Sequence, residues 1–243
     1  MKDYLQDIVL HTHGLGFIDL VKIEGSDEAT TLEGLAEDRS VIVKATFKNT
    51  VAEFMGTFGM PNLNKLDLLL KIPVYKDNAK LELLRQERNG TEVPVGIHFE
   101  NDGGDFKNDY RFMNAEIINE KLKTVKFKGA AWDVEVSPTM ASVQRFKMQA
   151  TANAEETVFT VLTDGTDIKF KFGDASTHAG EFIFATGVTG SLKNEWAWPV
   201  QQTLAILSLD GDKVMKFSDQ GAMQIQVDSG LATYEYILPA QSK

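Results

Sequence analysis

The chain has 243 residues, with 35 Asp and Glu against 25 Lys and Arg for a net charge of −10, 43% hydrophobic residues and no cysteine. That length accommodates one large domain or two ordinary ones with full cores. The missing cysteines exclude disulfides, thiolate nucleophiles and Cys-ligated metals, and no apolar run reaches the roughly 20 residues of a membrane helix. Asp3 and Asp7 stand where a signal peptide has its basic end and apolar core, so the expected location is cytoplasmic. The acidic balance also argues against a conventional nucleic-acid binder, which covers phosphates with a basic face.

Residues 2–11 read as a short helix with Leu5, Ile8 and Val9 on one face, ended by Gly14. Phe17–Ile23 reads as a strand, Ser26–Glu37 as an acidic, Gly-broken turn region, and Val41–Phe47 as a strand. Asn49 is expected to cap a helix carrying Val51, Phe54, Met55 and Phe58, stopped by Gly59 and Pro61. Lys65–Ile72 fits helix or strand equally and ends at Pro73. Strands are predicted at Ala79–Gln86, Val93–Phe99 and Asp109–Met113, with Asn89-Gly90 and Gly103-Gly104 in the turns. Residues 114–129 crowd Lys121, Lys123, Lys126 and Lys128 before Gly129 and read as an extended connector between domains at 1–113 and 130–243.

The second half restarts the pattern. After a strand at Trp132–Val136, Ser137-Pro138 opens a helix running to about Ala152. A hairpin follows at Thr157–Thr163 and Asp167–Phe172 around Asp164-Gly165, then a strand at Glu181–Gly187. Pro199 starts a helix with Val200, Leu204 and Leu207 along one face, ended by Asp210-Gly211-Asp212. Three strands close the chain, at Lys213–Ser218, Ala222–Val227 and Leu231–Leu238. Each half thus carries two short helices among many strands, an α+β design used twice.

Familiar chemical signatures are absent. His11-Thr12-His13 lacks the companions of a metal site, Asp102-Gly103-Gly104-Asp105 lacks the spaced ligands of a calcium loop, and Gly14-Leu15-Gly16 lacks the third glycine of a nucleotide fingerprint. No nucleophile elbow or Walker sequence occurs. No catalytic residue, metal ligand or cofactor is predicted. Trp196 and Trp198 fit core packing better than base or sugar stacking.

The element order and the stretch from Trp198 to Ala240 resemble the sliding clamps, the ring-shaped processivity factors of DNA polymerases. That stretch comprises helix Pro199–Leu209, the Asp210-Gly211-Asp212 turn, Lys213–Phe217, Gly221–Val227 and Tyr234–Pro239. The likeness is greatest to the trimeric clamps of T-even-like bacteriophages, relatives of proliferating cell nuclear antigen. It implies a homotrimer of two-domain, non-enzymatic subunits closing a ring, strands outside and helices lining a hole around double-stranded DNA. A clamp loader opens such a ring, and the DNA polymerase docks on one face by a short hydrophobic peptide.

The DNA-facing candidates are Arg145 and Lys147 on helix 138–152, where Val143, Phe146 and Ala150 form the apolar stripe, with Lys2 and Lys193 as weaker ones. Helix 199–209 departs from the clamp pattern because it has no Lys or Arg. By resemblance, Val125 and Phe127 of the connector and Ile237, Leu238 and Pro239 of the tail border the peptide-docking pocket, the last two expected to stand partly exposed. The competing reading of the same composition is a β-rich capsid or tail component of a virion.

Overall fold

The computed structural model describes residues 1–76, 78–88, 90–123, 127–163, 165–174, 176 and 178–241, residue 91 by its backbone only. Asn89, Val125, Lys126 and Asp164, named above in turns and connector, lie outside the described residues. The chain divides into two units: Met1–Lys126 with Ser229–Tyr234, and Phe127–Asp228 with Glu235–Lys243.

Unit 1 opens with α1 (Lys2–His11), which buries Leu5, Ile8 and Val9. Strands β1 (Leu20–Gly25), β2 (Thr30–Leu35), β3 (Ile42–Phe47) and β4 (Gly56–Pro61) form an antiparallel sheet in the order β4-β1-β2-β3. Val21, Ile23, Leu32 and Val43 alternate inward, as a half-buried sheet requires. Helix α2 (Leu63–Lys71) follows, and α1 packs against it. Asn62, at φ 52°, caps α2 by accepting the Lys65 amide at 3.1 Å, and its leucines 63, 66, 69 and 70 go inward. A second sheet joins β5 (Lys80–Arg88), β6 (Thr91–Glu100) and β7 (Lys107–Arg111) in that order. An edge-to-face run of rings, Tyr4 to Phe47 to Phe54 to Phe58, threads the core. Residues 229–234 complete the unit: Leu231 O accepts the Lys48 amide at 2.9 Å, and the Tyr234 hydroxyl donates to Asp7 Oδ2 at 2.8 Å.

Three expectations for this half are corrected. Residues 26–37 contain strand β2; its Gly34, read as a break, is where a Cβ would come within 2.9 Å of Val43 Cγ1. Residues 49–58 hold one 3₁₀ turn, Ala52–Phe54, before β4, because Gly56 at φ 102° ends any helix and Phe58 and Met60 face inward at strand period. Part of the supposed extended connector is helix α3 (Ala115–Lys121), capped by Asn114 and anchored by the fully buried Ile118.

Unit 2 begins with β8 (Val134–Val136) and α4 (Met140–Ala152). Thr139, rather than Ser137, caps α4, in a reciprocal box with Ser142. Strands β9 (Val158–Thr163), β10 (Asp167–Phe172), β11 (Gly180–Thr186) and β12 (Ala197–Pro199) form a sheet in the order β11-β10-β9-β12. Helix α5 (Val200–Leu207) packs against α4. The last strands are β13 (Asp212–Ser218), β14 (Ala222–Asp228) and β15 (Ala232–Pro239), whose residues from Glu235 onward belong to this unit. In unit 2 they lie in the order β15-β14-β13-β8. Phe146 of α4 sits among Phe159, Phe170, Phe172 and Phe182, with ring centroids 4.8–6.3 Å away.

Candidate functional site

Each unit presents one pair of packed helices, and their charge departs from that of the chain. The four helices α1, α2, α4 and α5 hold Lys2, Lys65, Lys71, Arg145 and Lys147 against Asp3, Asp7 and Asp67. Two of the acids are already engaged. Asp7 accepts from Tyr234 and from Ser229 Oγ at 3.1 Å, and Asp67 pairs with Lys71 at 2.6 Å. Helix α4 has no acid and α5 no charge at all.

The basic candidates differ in how they are held. Arg145 is exposed, with its guanidinium carbon 5.5 Å from the centre of the Phe182 ring, a cation–π contact that orients it over β11. Lys147 is exposed on the same helix. The deep anchor of α4 is Phe146; Val143 and Ala150 of the expected stripe are only half-buried. The Lys2 amine donates to the carbonyls of Tyr75 and Lys76 at 2.8 and 2.7 Å, closing the end of a short 3₁₀ turn. Its first task is therefore within unit 1. Lys193 is exposed in a loop fixed through its own amide, which donates to Asp219 Oδ1 at 2.8 Å.

The docking candidates separate into surface and core. Ile237 is 3% exposed and Leu238 0%, and the Trp198 indole donates to Leu238 O at 3.2 Å. The expectation that Leu238 stands partly exposed is therefore corrected: β15 is covered by core side chains almost to its end. Pro239 is exposed and Phe127 half-buried, its ring 6.2 Å from Trp132; Val125 lies outside the described residues.

Sequence reasoning missed the residue that organises this surface. Asp219 receives the amides of Lys193 and Asn194 on Oδ1, its own amide donates to Asp133 Oδ2 at 2.7 Å, and its carbonyl accepts the Trp196 indole at 2.8 Å. The Trp196 ring covers Gly221, which turns at φ 79° and bonds Ala240 through its carbonyl at 2.8 Å. Trp196 and the Pro239-Ala240 tail are thus linked through one turn of unit 2, to which Asp133, the neighbour of Trp132, is also bonded. Only the Ser218-Asp219-Gln220-Gly221 turn signature pointed there.

Among the described residues no cluster of His, Asp and Glu is arranged to hold a metal ion, and no helix is long and apolar enough to cross a membrane. His11 bonds Asp7 O at 2.9 Å and His13 faces Asp19 at 3.5 Å, so the two histidines turn to different partners. The prominent titratable group is His98 on β6. Its Nδ1 lies 2.7 Å from Asp109 and its Nε2 3.3 Å from Glu100, and the Asp109 bond, only partly opposed by desolvation and reinforced by Glu100, raises the imidazole pKa.

No protein-family profile and no curated protein matches the chain. Solved structures do. PCNA from Thermococcus kodakaraensis superposes with a TM-score of 0.70 at 12% identity, over 99% of this chain and 97% of that one. A. fulgidus PCNA, in a structure with the C-terminal region of FEN-1 bound, gives 0.68 at 12% identity over 100% and 95%. PCNA from Entamoeba histolytica gives 0.64 at 12% identity over 99% and 94%. The chain has the α+β fold of a PCNA-like sliding clamp, built from two clamp-type units.

Proposed function

We propose that the chain is the subunit of a sliding clamp that encircles duplex DNA and tethers the replicative DNA polymerase. The observation that carries this reading is the charge of the helices. A chain of net charge −10 keeps acids off α4 and α5 and engages Asp7 and Asp67 of α1 and α2. Such a lining repels phosphate weakly and grips it weakly. Retention then comes from closure of the ring, and a few exchangeable contacts from Arg145, Lys147 and Lys65 centre the duplex without reading its sequence. Lys2 and Lys193 contribute long-range potential rather than direct contacts.

Closure uses sheet edges. β7 ends the three-stranded sheet of unit 1 and β11 the four-stranded sheet of unit 2, so pairing of one copy's edge with another's satisfies both and joins subunits head to tail. Three copies, the phage-type number, follow from the likeness of Trp198–Ala240 to the T-even-like clamps, as does work in the host cytoplasm with a clamp loader. The polymerase docks by an apolar peptide on the surface bounded by Phe127, Trp196 and Pro239, with Val125 alongside. Ile237 and Leu238 support that surface from beneath.

Two measurements test this. Light scattering should give three times the chain mass. The loaded protein should be retained on circular DNA and lost when the circle is cut. A monomer at micromolar concentration, or binding indifferent to cutting, overturns the reading.

A further inference from the structure

The chain of unit 1 leaves one strand edge partly used. Gly59 of β4 exchanges two hydrogen bonds with Met113, N to O at 2.9 Å and O to N at 2.8 Å. Since Gly59 stands opposite Lys22 of β1, that pair is one whose amide and carbonyl point away from each other's strand, and the alternation of an antiparallel ladder gives Thr57, opposite Glu24, the same orientation. After Met113 the chain does not continue along this edge; it turns at Asn114 into α3. The Thr57 amide and carbonyl therefore face a groove of about 540 Å³ that Thr57 helps to line.

The groove is lined by apolar and polar groups in comparable measure, two arginines among them. Its apolar lining comes from Val93, Pro94 and Val95 of β6, half-buried Phe112 and Met113, and Ile117, 48% exposed. Its charged residues are Arg88, Arg111 and Glu116. Arg88 bonds the neutral Gln86 Oε1 at 3.4 Å, and Arg111 reaches Asp109 at 3.3 Å, so neither guanidinium is held in a bidentate pair.

We propose that this groove docks an extended, acidic–aliphatic peptide segment of a partner protein. The main chain of the segment pairs with Thr57, an aliphatic side chain enters between Val95 and Ile117, and a flanking carboxylate meets Arg88 or Arg111. On the rim Arg88, bonded to the neutral Gln86, is the base that selects the sign of the ligand, Arg111 being already opposed by Asp109. The groove lies in unit 1 and the polymerase-docking surface in unit 2; Arg111 belongs to β7, the edge assigned above to subunit pairing, so the oligomeric mass of each variant is read beside its affinity.

The test titrates a fluorescein-labelled pentapeptide of alternating leucine and glutamate into the 243-residue chain, with a leucine–lysine peptide as control. The expected result is at least tenfold tighter binding of the glutamate peptide. R88E with R111E should weaken it at least tenfold, I117D should do the same, and peptide should slow hydrogen exchange at the Thr57 amide. P239D should leave the affinity unchanged. Equal binding of both peptides, no binding, an unaltered Thr57 amide, or loss of affinity in P239D overturns the proposal.

Discussion

Ile118 occupies the space that a side chain on Gly59 would need: a Cβ built on Gly59 lies 2.9 Å from Ile118 Cδ1 and Cγ1. Helix α3 is seated on β4 through this contact and through the adjacent Gly59–Met113 bridge. Gly59→Ala should destabilise the protein by about 1–3 kcal/mol through overpacking. Ile118→Ala alone should cost about 2–5 kcal/mol as a cavity. Together they should cost clearly less than the sum, because each removes what the other offends. Denaturant unfolding of the four proteins measures this, and strict additivity contradicts the contact.

Leu238 and Pro239 are neighbours with separable roles. Leu238→Ala should lower stability by about 2–5 kcal/mol, with polymerase stimulation following the folded fraction. Pro239→Asp should leave the melting temperature and oligomeric mass within error while reducing polymerase stimulation several-fold. Unchanged stimulation in Pro239→Asp removes the tail from the docking surface.

Arg145→Gln with Lys147→Gln should reduce loading onto circular DNA a few-fold and flatten the salt dependence of loading, since each lost phosphate contact removes about one released counterion. Assembly mass should not change. The loss should be partial, because Lys65 and the remaining bases share the field.

The stability of the β6–β7 hairpin should depend on pH through His98. Its folded pKa is raised, by Asp109 first. The stabilisation is therefore fully present below the unfolded imidazole value of about 6.5 and lost as pH climbs through the raised folded value. Hydrogen exchange in the hairpin should show stronger protection at pH 6 than at pH 9. The difference should be at most about 1 kcal/mol, as for a solvent-screened pair, and absent in His98→Gln.

The elements that were legible are those whose local chemistry agrees with their tertiary setting. Strand β14 alternates Met223, Ile225 and Val227 with Gln224, Gln226 and Asp228, the last three strands turn at Gly221 and Gly230, and Pro199 stands immediately before α5. β2 was not legible because Gly34, there for close packing, looks like a break in sequence, and β4 because Val51, Phe54, Met55 and Phe58 mimic a helical stripe although Gly56 turns left-handed among them. Helix α3 was hidden by its lysine-rich surroundings, while one side chain, Ile118, decides its position. The basic candidates of α4 were visible as charges, but the Phe182 ring that orients Arg145 is 37 residues away in sequence. The turn signature around Asp219 marks a loop, but its role rests on long-range hydrogen bonds to residues 133, 193, 194 and 196.

Tyr234 and Ser229 reach Asp7 from the far end of the sequence, and Tyr234 stacks on His11 with ring centroids 4.4 Å apart. Unit 1 is thus not a continuous piece of chain. During synthesis its first helix must wait for residues 229–234 to leave the ribosome, by which time nearly all of unit 2 has emerged. A nascent subunit halted at residue 228 would present an unfinished unit 1 and a unit 2 lacking its last strand, so neither is expected to reach its final stability until residues 229–239 have emerged.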